Sequence, residues 1–285
     1  MELTILSSWA YLMSDLVTVW PDDLTRGFKS LGVVEGENVM LHASLEGMGT
    51  VDGGAAMVLH RLLGLIGKKG TLLMPTFTSI ARHATTHFDY AKPGCWCEGR
   101  ESRHVPFIPE LQPDKEFGAI AHRLCSWPNS RRSTHPAYSY VGVGNHGDEL
   151  LREVKPDDPL LAVRNFLKYD PRVLTIGVGL NAVTAIHLAV EKFPPEKFVE
   201  ERALTFSAKR PSWMEIKSLG CSKGFTNLSQ GFGSIQIYQG RIGNAEVESY
   251  SMKELVSLAK STLERDEHGL SCSNPSCLSC SRVVV

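Results

Sequence analysis

The first periodic stretch of the chain follows Pro21-Asp22-Asp23. Leu24, Phe28 and Leu31 recur at helical spacing, the acidic pair suits a helix start, and Gly32 suits its stop. Val39 to Leu45 (VMLHASL) is a short apolar run with the length and flanks of a buried strand. After the loop GMGTVDGG (47–54), Val58, Leu62, Leu63 and Ile66 mark one face of a second helix, and Thr71 to Met74 is a strand stopped by Pro75. Strand, helix and strand in that order predict a βαβ crossover with parallel strands and a right-handed connection.

Tyr138 to Val143 and Val173 to Val178 read as further strands, and Asn181 to Phe193 as a helix capped by Asn181. From 232 onward the chain alternates like an antiparallel hairpin turning at Gly240, and Ser251 to Glu264 forms a last helix. Residues 82–115 show little periodicity and read as a long loop or lid, while 268–285 is a polar, Cys-rich tail. The pattern predicts an α/β fold with a mixed, mostly parallel sheet flanked by helices, the 82–115 lid, and a C-terminal hairpin, helix and tail. With no repeat and no linker, residues 1–285 read as one domain.

Composition narrows the picture. The 285 residues are 42% apolar and 21% charged, which suits a large core and excludes a disordered chain or a disulfide miniprotein. Thirty Lys and Arg against 31 Asp and Glu leave a net charge of -1, with no block of either sign to follow a nucleic acid backbone. The start MELTILSSWAYLM has no cationic region before Arg26, and the uncharged run Val173 to Val190 contains Asn181, Thr184 and His187. Neither a signal peptide nor a membrane span is read, so a cytoplasmic location without a membrane partner is expected. Seven cysteines form an odd set, which points to free thiols or metal ligands rather than a disulfide framework.

Four places are candidates for chemistry. The loop from Leu45 to Gly54 leaves a strand and enters a helix N-terminus, where free backbone N–H groups and the helix dipole favour an anion; a plain tight turn would look the same. Its G-x-G-x-x-x-G spacing misses the dinucleotide fingerprint, and the P-loop pattern is absent. His187 and Glu191 lie four residues apart on the predicted helix, either a polarised imidazole or an ordinary surface pair. Arg131 and Arg132, in RRSTHPAYS, suit a phosphate or an adenine, or solvent. Cys272, Cys277 and Cys280 form C-x4-C-x2-C, and Cys95 with Cys97 offers further thiols; a structural zinc on Cys95, Cys97, Cys277 and Cys280 competes with free thiols on a tail.

Taken together, LHASLEGMGTVDGGAAMV, GKKGTLLMPTFTS, NSRRSTHPAYSYVGVG and LTIGVGLNAVTAIHLAVE resemble, in order and spacing, the signature blocks of the aminoglycoside 3-N-acetyltransferase family. The resemblance spans about residues 20–260. It implies direct transfer of an acetyl group from acetyl-CoA to an amine of an aminoglycoside, at the 3-N position, on a fold separate from the common N-acetyltransferase superfamily. It places Ser44, Leu45, Gly53, Gly54, Thr76 and Thr78 at the coenzyme. It also places His187 as general base, with Glu215 as its acidic partner; Glu191 is the carboxylate that helical spacing offers instead, and on chemical grounds amides at 181–184 or Thr76 to Thr78 are expected at the oxyanion.

Two departures from the family pattern bear on the acceptor. Val190 stands where an acid usually follows the histidine, and Ile80, Ala81, Arg82 and His83 follow PTFTS without the usual acid. A non-antibiotic amino sugar, another amine, or a coenzyme-binding protein without turnover are the alternatives, and a homodimer is left open.

Overall fold

The computed structural model describes residues 17–84, 104–191, 200–277 and 279–280. In chain order the elements are β1 (Thr18–Val19), α1 (Pro21–Ser30), β2 (Asn38–Ala43), β3 (Thr50–Val51), α2 (Gly54–Ile66), β4 (Thr71–Pro75) and β5 (Arg82–Ala84). Then come α3 (Gly118–Cys125), β6 (Arg131–Arg132), β7 (Tyr140–Gly144), α4 (Gly147–Arg152), α5 (Leu161–Phe166), β8 (Arg172–Ile176) and α6 (His187–Val190). The chain closes with β9 (Glu200–Ser207), β10 (Arg210–Lys217), β11 (Ile237–Ile242), β12 (Ala245–Ser251) and α7 (Met252–Arg265).

A seven-stranded sheet runs β11-β12-β8-β2-β4-β7-β6. Its centre, β8-β2-β4, is parallel, and β2 and β4 are the predicted crossover pair; the flanking pairs are antiparallel, so the parallel share is smaller than expected. Side-chain alternation sends Val39 and Leu41 to one face, where they pack with Leu24, Phe28, Leu59 and Leu62 of α1 and α2. Met40, Leu73 and Val173 face the other way, against Leu150, Phe166 and Leu255 of α4, α5 and α7. Burial on both faces explains why the central strands read as unbroken apolar runs. Each fully buried Leu or Phe contributes about 2 kcal/mol to this two-sided core.

A second sheet, β10-β9-β5, was not legible as strands. Its hairpin turns at Ala208-Lys209, both at positive φ, a conformation for which the sequence carries no Asn-Gly or Gly-Gly signal. Two other expectations are corrected. The C-terminal hairpin turns at Gly243-Asn244, with Gly243 at φ 59°, and Gly240 sits within β11 opposite Val247. The helix expected from Asn181 to Phe193 is instead two 3-10 turns, Leu180–Ala182 and Thr184–Ile186, followed by the single-turn α6. Val183 breaks the run because its backbone is extended, at φ -79° and ψ 98°. Residues 85–103, most of the expected lid, lie outside the described residues. Among the described residues no helix is long and apolar enough to cross a membrane.

Candidate active site

The parallel strands β2, β4 and β8 bring their carboxyl ends to one edge of the sheet, the usual place for a ligand crevice in an open parallel sheet. At α2 the residue that precedes the helix, Gly53, sits in the left-handed region at φ 71°, with no side chain capping the helix. Its first-turn residues Ala55 and Ala56 face Gly118 and Ala119, the start of α3, across an open cleft of about 680 Å³ that Lys115, His122 and Arg123 also line. Two helix N-termini and two cationic side chains around one cleft are features that favour an anion. The His122 ring nitrogens face the Gln112 side-chain oxygen at 3.1 Å and the Asp114 carbonyl at 3.2 Å.

Of the residues expected at the coenzyme, Gly53 and Gly54 immediately precede the cleft-lining Ala55 at the start of α2, and Ser44 and Leu45 follow the end of β2; none of the four is among the residues that line the cleft. Ser44 N–H is already bonded to the Ile176 carbonyl at 2.8 Å. Thr76 and Thr78 are fully buried and committed elsewhere. Their amides bond Ser139 O and Ala137 O, at 2.9 and 3.0 Å. Their hydroxyls accept from Arg132, at 3.2 and 2.7 Å. These amides are therefore taken, and so are those of Ala182 and Val183, which bond Gly179 O and Leu180 O.

Arg132 also donates to Thr76 O, Ser139 Oγ and Leu111 O, so it knots β6 to the end of β4 instead of meeting a phosphate. Arg131 lies outside the crevice, bonded to Asp148 at 2.6 Å.

His187 begins α6, in the segment that follows β8. It is 7% exposed, its ring meets Phe225 edge-on at 4.7 Å, and it is hydrogen-bonded to the backbone of Leu219, leaving Nδ1 without a partner. Burial pushes the imidazole down to about 4, so it is neutral at pH 7. Neither expected carboxylate touches it. Glu191 accepts from Arg164 at 2.6 Å and pairs with Lys217 at 3.6 Å, because partners at the rim offer a charged group far more than a buried neutral ring does. Glu215 is exposed on β10, opposite Arg202.

Among the described residues the one buried acid is Glu201, which the sequence did not single out. It accepts from Tyr138 Oη and from Ser218 Oγ at 3.1 Å, with Arg82 3.6 Å away. Two more histidines are buried nearby in the core. His135 accepts at Nδ1 from the amides of Ala137 and Tyr138, and burial pushes it down to about 4. His42, on β2 with Nε2 unpartnered, is pushed down to about 3 for the same reason. Phe77 stands between the two sheets, edge-on to Phe117, Tyr138 and Tyr140.

The thiols converge differently from the expectation. Cys221, Cys272, Cys277 and Cys280 bring their sulfurs within 4.8 Å of one another, a group able to hold a metal ion, whereas Cys95 and Cys97 lie outside the described residues. Cys277 and Cys280 were foreseen. Cys221 was not, because nothing local marks a lone cysteine that is 51 positions from Cys272 as its neighbour.

Comparison with known proteins places this geometry. The aminoglycoside N(3')-acetyltransferase-like protein YokD of Bacillus subtilis is 27% identical over 248 residues, 83% of this chain and 89% of its own. Aminoglycoside N(3)-acetyltransferase III of a Salmonella species is 30% identical over 183 residues, 62% of each chain. The YokD crystal structure shares the fold with a TM-score of 0.77 at 24% identity, covering 87% of this chain and 94% of that one. An AAC-IIIb complex with CoASH does so at 0.72 and 19%, covering 87% and 97%. The sequence profile for aminoglycoside 3-N-acetyltransferases matches residues 40–264, from β2 through most of α7. The chain belongs to the aminoglycoside 3-N-acetyltransferase family.

Proposed function

We propose that the protein transfers the acetyl group of acetyl-CoA directly to a primary amine of an aminoglycoside or related amino sugar, at the 3-N position, with His187 as the general base. The observation that carries this reading is the unpartnered Nδ1 of a buried, neutral His187 in the segment that follows the parallel strand β8. An ammonium cannot attack a thioester until it loses a proton, and a neutral imidazole can take it. The Leu219 backbone bond holds the other ring nitrogen and so fixes the ring.

The coenzyme reading is supported by the cleft between α2 and α3. Its cationic rim and paired helix starts suit a pyrophosphate. A relative with the same fold was crystallised with CoASH, and another aminoglycoside acetyltransferase of this fold was crystallised with gentamicin. Transfer in a ternary complex needs no covalent enzyme intermediate.

One observation favours an acceptor less cationic than most aminoglycosides. Glu201, a buried acid whose partner Ser218 adjoins Leu219, is already paired with Arg82 and hydrogen-bonded to Tyr138 and Ser218. A polyamine-like sugar would have to compete with that guanidinium.

A thiol-release assay with acetyl-CoA and a panel of aminoglycosides, neutral-flanked amino sugars and simple amines tests both readings. His187→Ala is expected to lower kcat by about 10²- to 10⁴-fold while leaving the KM for acetyl-CoA within about twofold. Unchanged turnover would remove His187 from the reaction.

A further inference from the structure

The four clustered cysteines come from two distant segments, and both are shaped around their sulfurs. Cys221 Sγ accepts from the amide of Lys223 at 3.4 Å, and Cys272 likewise has a backbone hydrogen bond from Asn274. In each case the amide two residues on points at the sulfur, which stabilises a thiolate. In the tail, Cys277 N–H bonds Asn274 O and Cys280 N–H bonds Cys277 O, both at 3.1 Å, so successive turns bring three sulfurs to one point.

Arms of about 2.3 Å to a tetrahedral ion put thiolate sulfurs about 3.8 Å apart. The observed upper limit of 4.8 Å is therefore a cradle about 1 Å too wide, well within side-chain adjustment. Four thiolates in tetrahedral reach select zinc among common divalent ions. Disulfides would draw the sulfurs together in pairs rather than as a group of four.

What this cluster would fasten is the segment holding His187. From the end of β10 into the 3-10 turns Lys223–Ser234 runs a strap, residues 218–225. Its Ser218 Oγ donates to Glu201 and accepts from Gly220 N–H, its Leu219 backbone bonds His187, and its Phe225 ring lies against His187. Cys221 sits in the middle. The tail is pressed onto the strap: a Cβ at Gly224 would stand 2.3 Å from Leu270 O, so only glycine allows the contact. Leu270 is buried with Phe225 and Leu228, and Asn227 donates to Gly269 O at 3.1 Å.

We propose that Cys221, Cys272, Cys277 and Cys280 bind one zinc ion as four thiolates, and that this clip locks the tail to the strap and thereby positions the His187 imidazole. Binding releases the four thiol protons to solvent and changes no oxidation state. The positioning half rests on His187 being the base, whereas the metal half stands without it.

The test uses the full chain purified with reductant and without chelator. Metal analysis is expected to give about one zinc per chain for the native protein and for Cys125→Ser, and none for Cys277→Ser/Cys280→Ser. Cobalt added to the stripped protein should give the absorption of a tetrahedral thiolate complex. Stripping should lower Tm by about 5 to 10 °C, and zinc should restore it. A metal-free native protein of equal Tm, iron in place of zinc, or two intramolecular disulfides by intact mass would overturn the site.

For the second half, the stripped native protein, with unchanged circular dichroism at low temperature, should show kcat at least about tenfold lower, KM for acetyl-CoA within about twofold, and recovery on zinc addition. The His187 ring resonance should shift and broaden in parallel, a readout that does not require turnover. Zinc removal that leaves both kcat and that resonance unchanged would overturn the positioning role. The cysteine variants bear only on metal content, so their failure to fold would not affect this arm.

Discussion

Replacing His42 with leucine tests whether buried neutral imidazoles set the acid limit of this fold. His42, His135 and His187 are 4%, 3% and 7% exposed, and burial pushes them down to about 3, 4 and 4 from an ordinary 6.5. The unfolded chain therefore binds more protons than the folded one between pH 6.5 and 4, so stability is fully present above 6.5 and is lost as pH falls. From pH 7.5 to 5.0 each histidine should remove about 2 kcal/mol, because unfolded imidazoles protonate and the buried ones do not. Three together remove about 6 kcal/mol, comparable with the whole stability of many domains.

His42→Leu keeps an apolar group of similar bulk on β2 and deletes one of the three titrations, along with an Nε2 that has no partner. Tm measured for both proteins at pH 7.5 and 5.0 should show the variant gaining on the native protein by about 5 °C at the lower pH. Parallel curves over that range would refute the assignment of acid lability to buried histidine.

Two further outcomes follow from the crevice. Lys115→Ala and Arg123→Ala should each raise the KM for acetyl-CoA about fivefold, an effect that shrinks as salt is added, and an unchanged KM at low salt would move the coenzyme away from this cleft. Arg132→Lys should lower stability by about 3 kcal/mol in urea titration, since one ammonium cannot serve Thr76, Thr78, Ser139 and Leu111 together; a loss below about 0.5 kcal/mol would make the knot dispensable.

The parts that could be read from the sequence are those whose cause is local. β2, α2 and β4 have two-sided burial or one-sided helical periodicity, which leaves a trace in consecutive residues, and Gly53-Gly54 marks the start of α2. The second sheet left no such trace. On β10 only Ile216 is buried, so the alternation that announces a half-buried strand never appears, and the hairpin depends on Ala208 and Lys209 adopting a conformation neither residue advertises.

The same distinction governs the site. His187 stood out through its motif, but its surroundings are long-range. The i,i+4 argument for Glu191 assumed a continuous surface helix, whereas a single turn after two 3-10 turns buries the histidine and leaves the carboxylate to Arg164. The contacts that hold the imidazole come from Leu219 and Phe225, apolar residues with no chemical signature of their own, more than thirty positions downstream. A base held by backbone and a ring edge keeps its orientation only as long as that segment keeps its place. The four sulfurs that gather at Cys221, within that segment, are placed to decide whether it does.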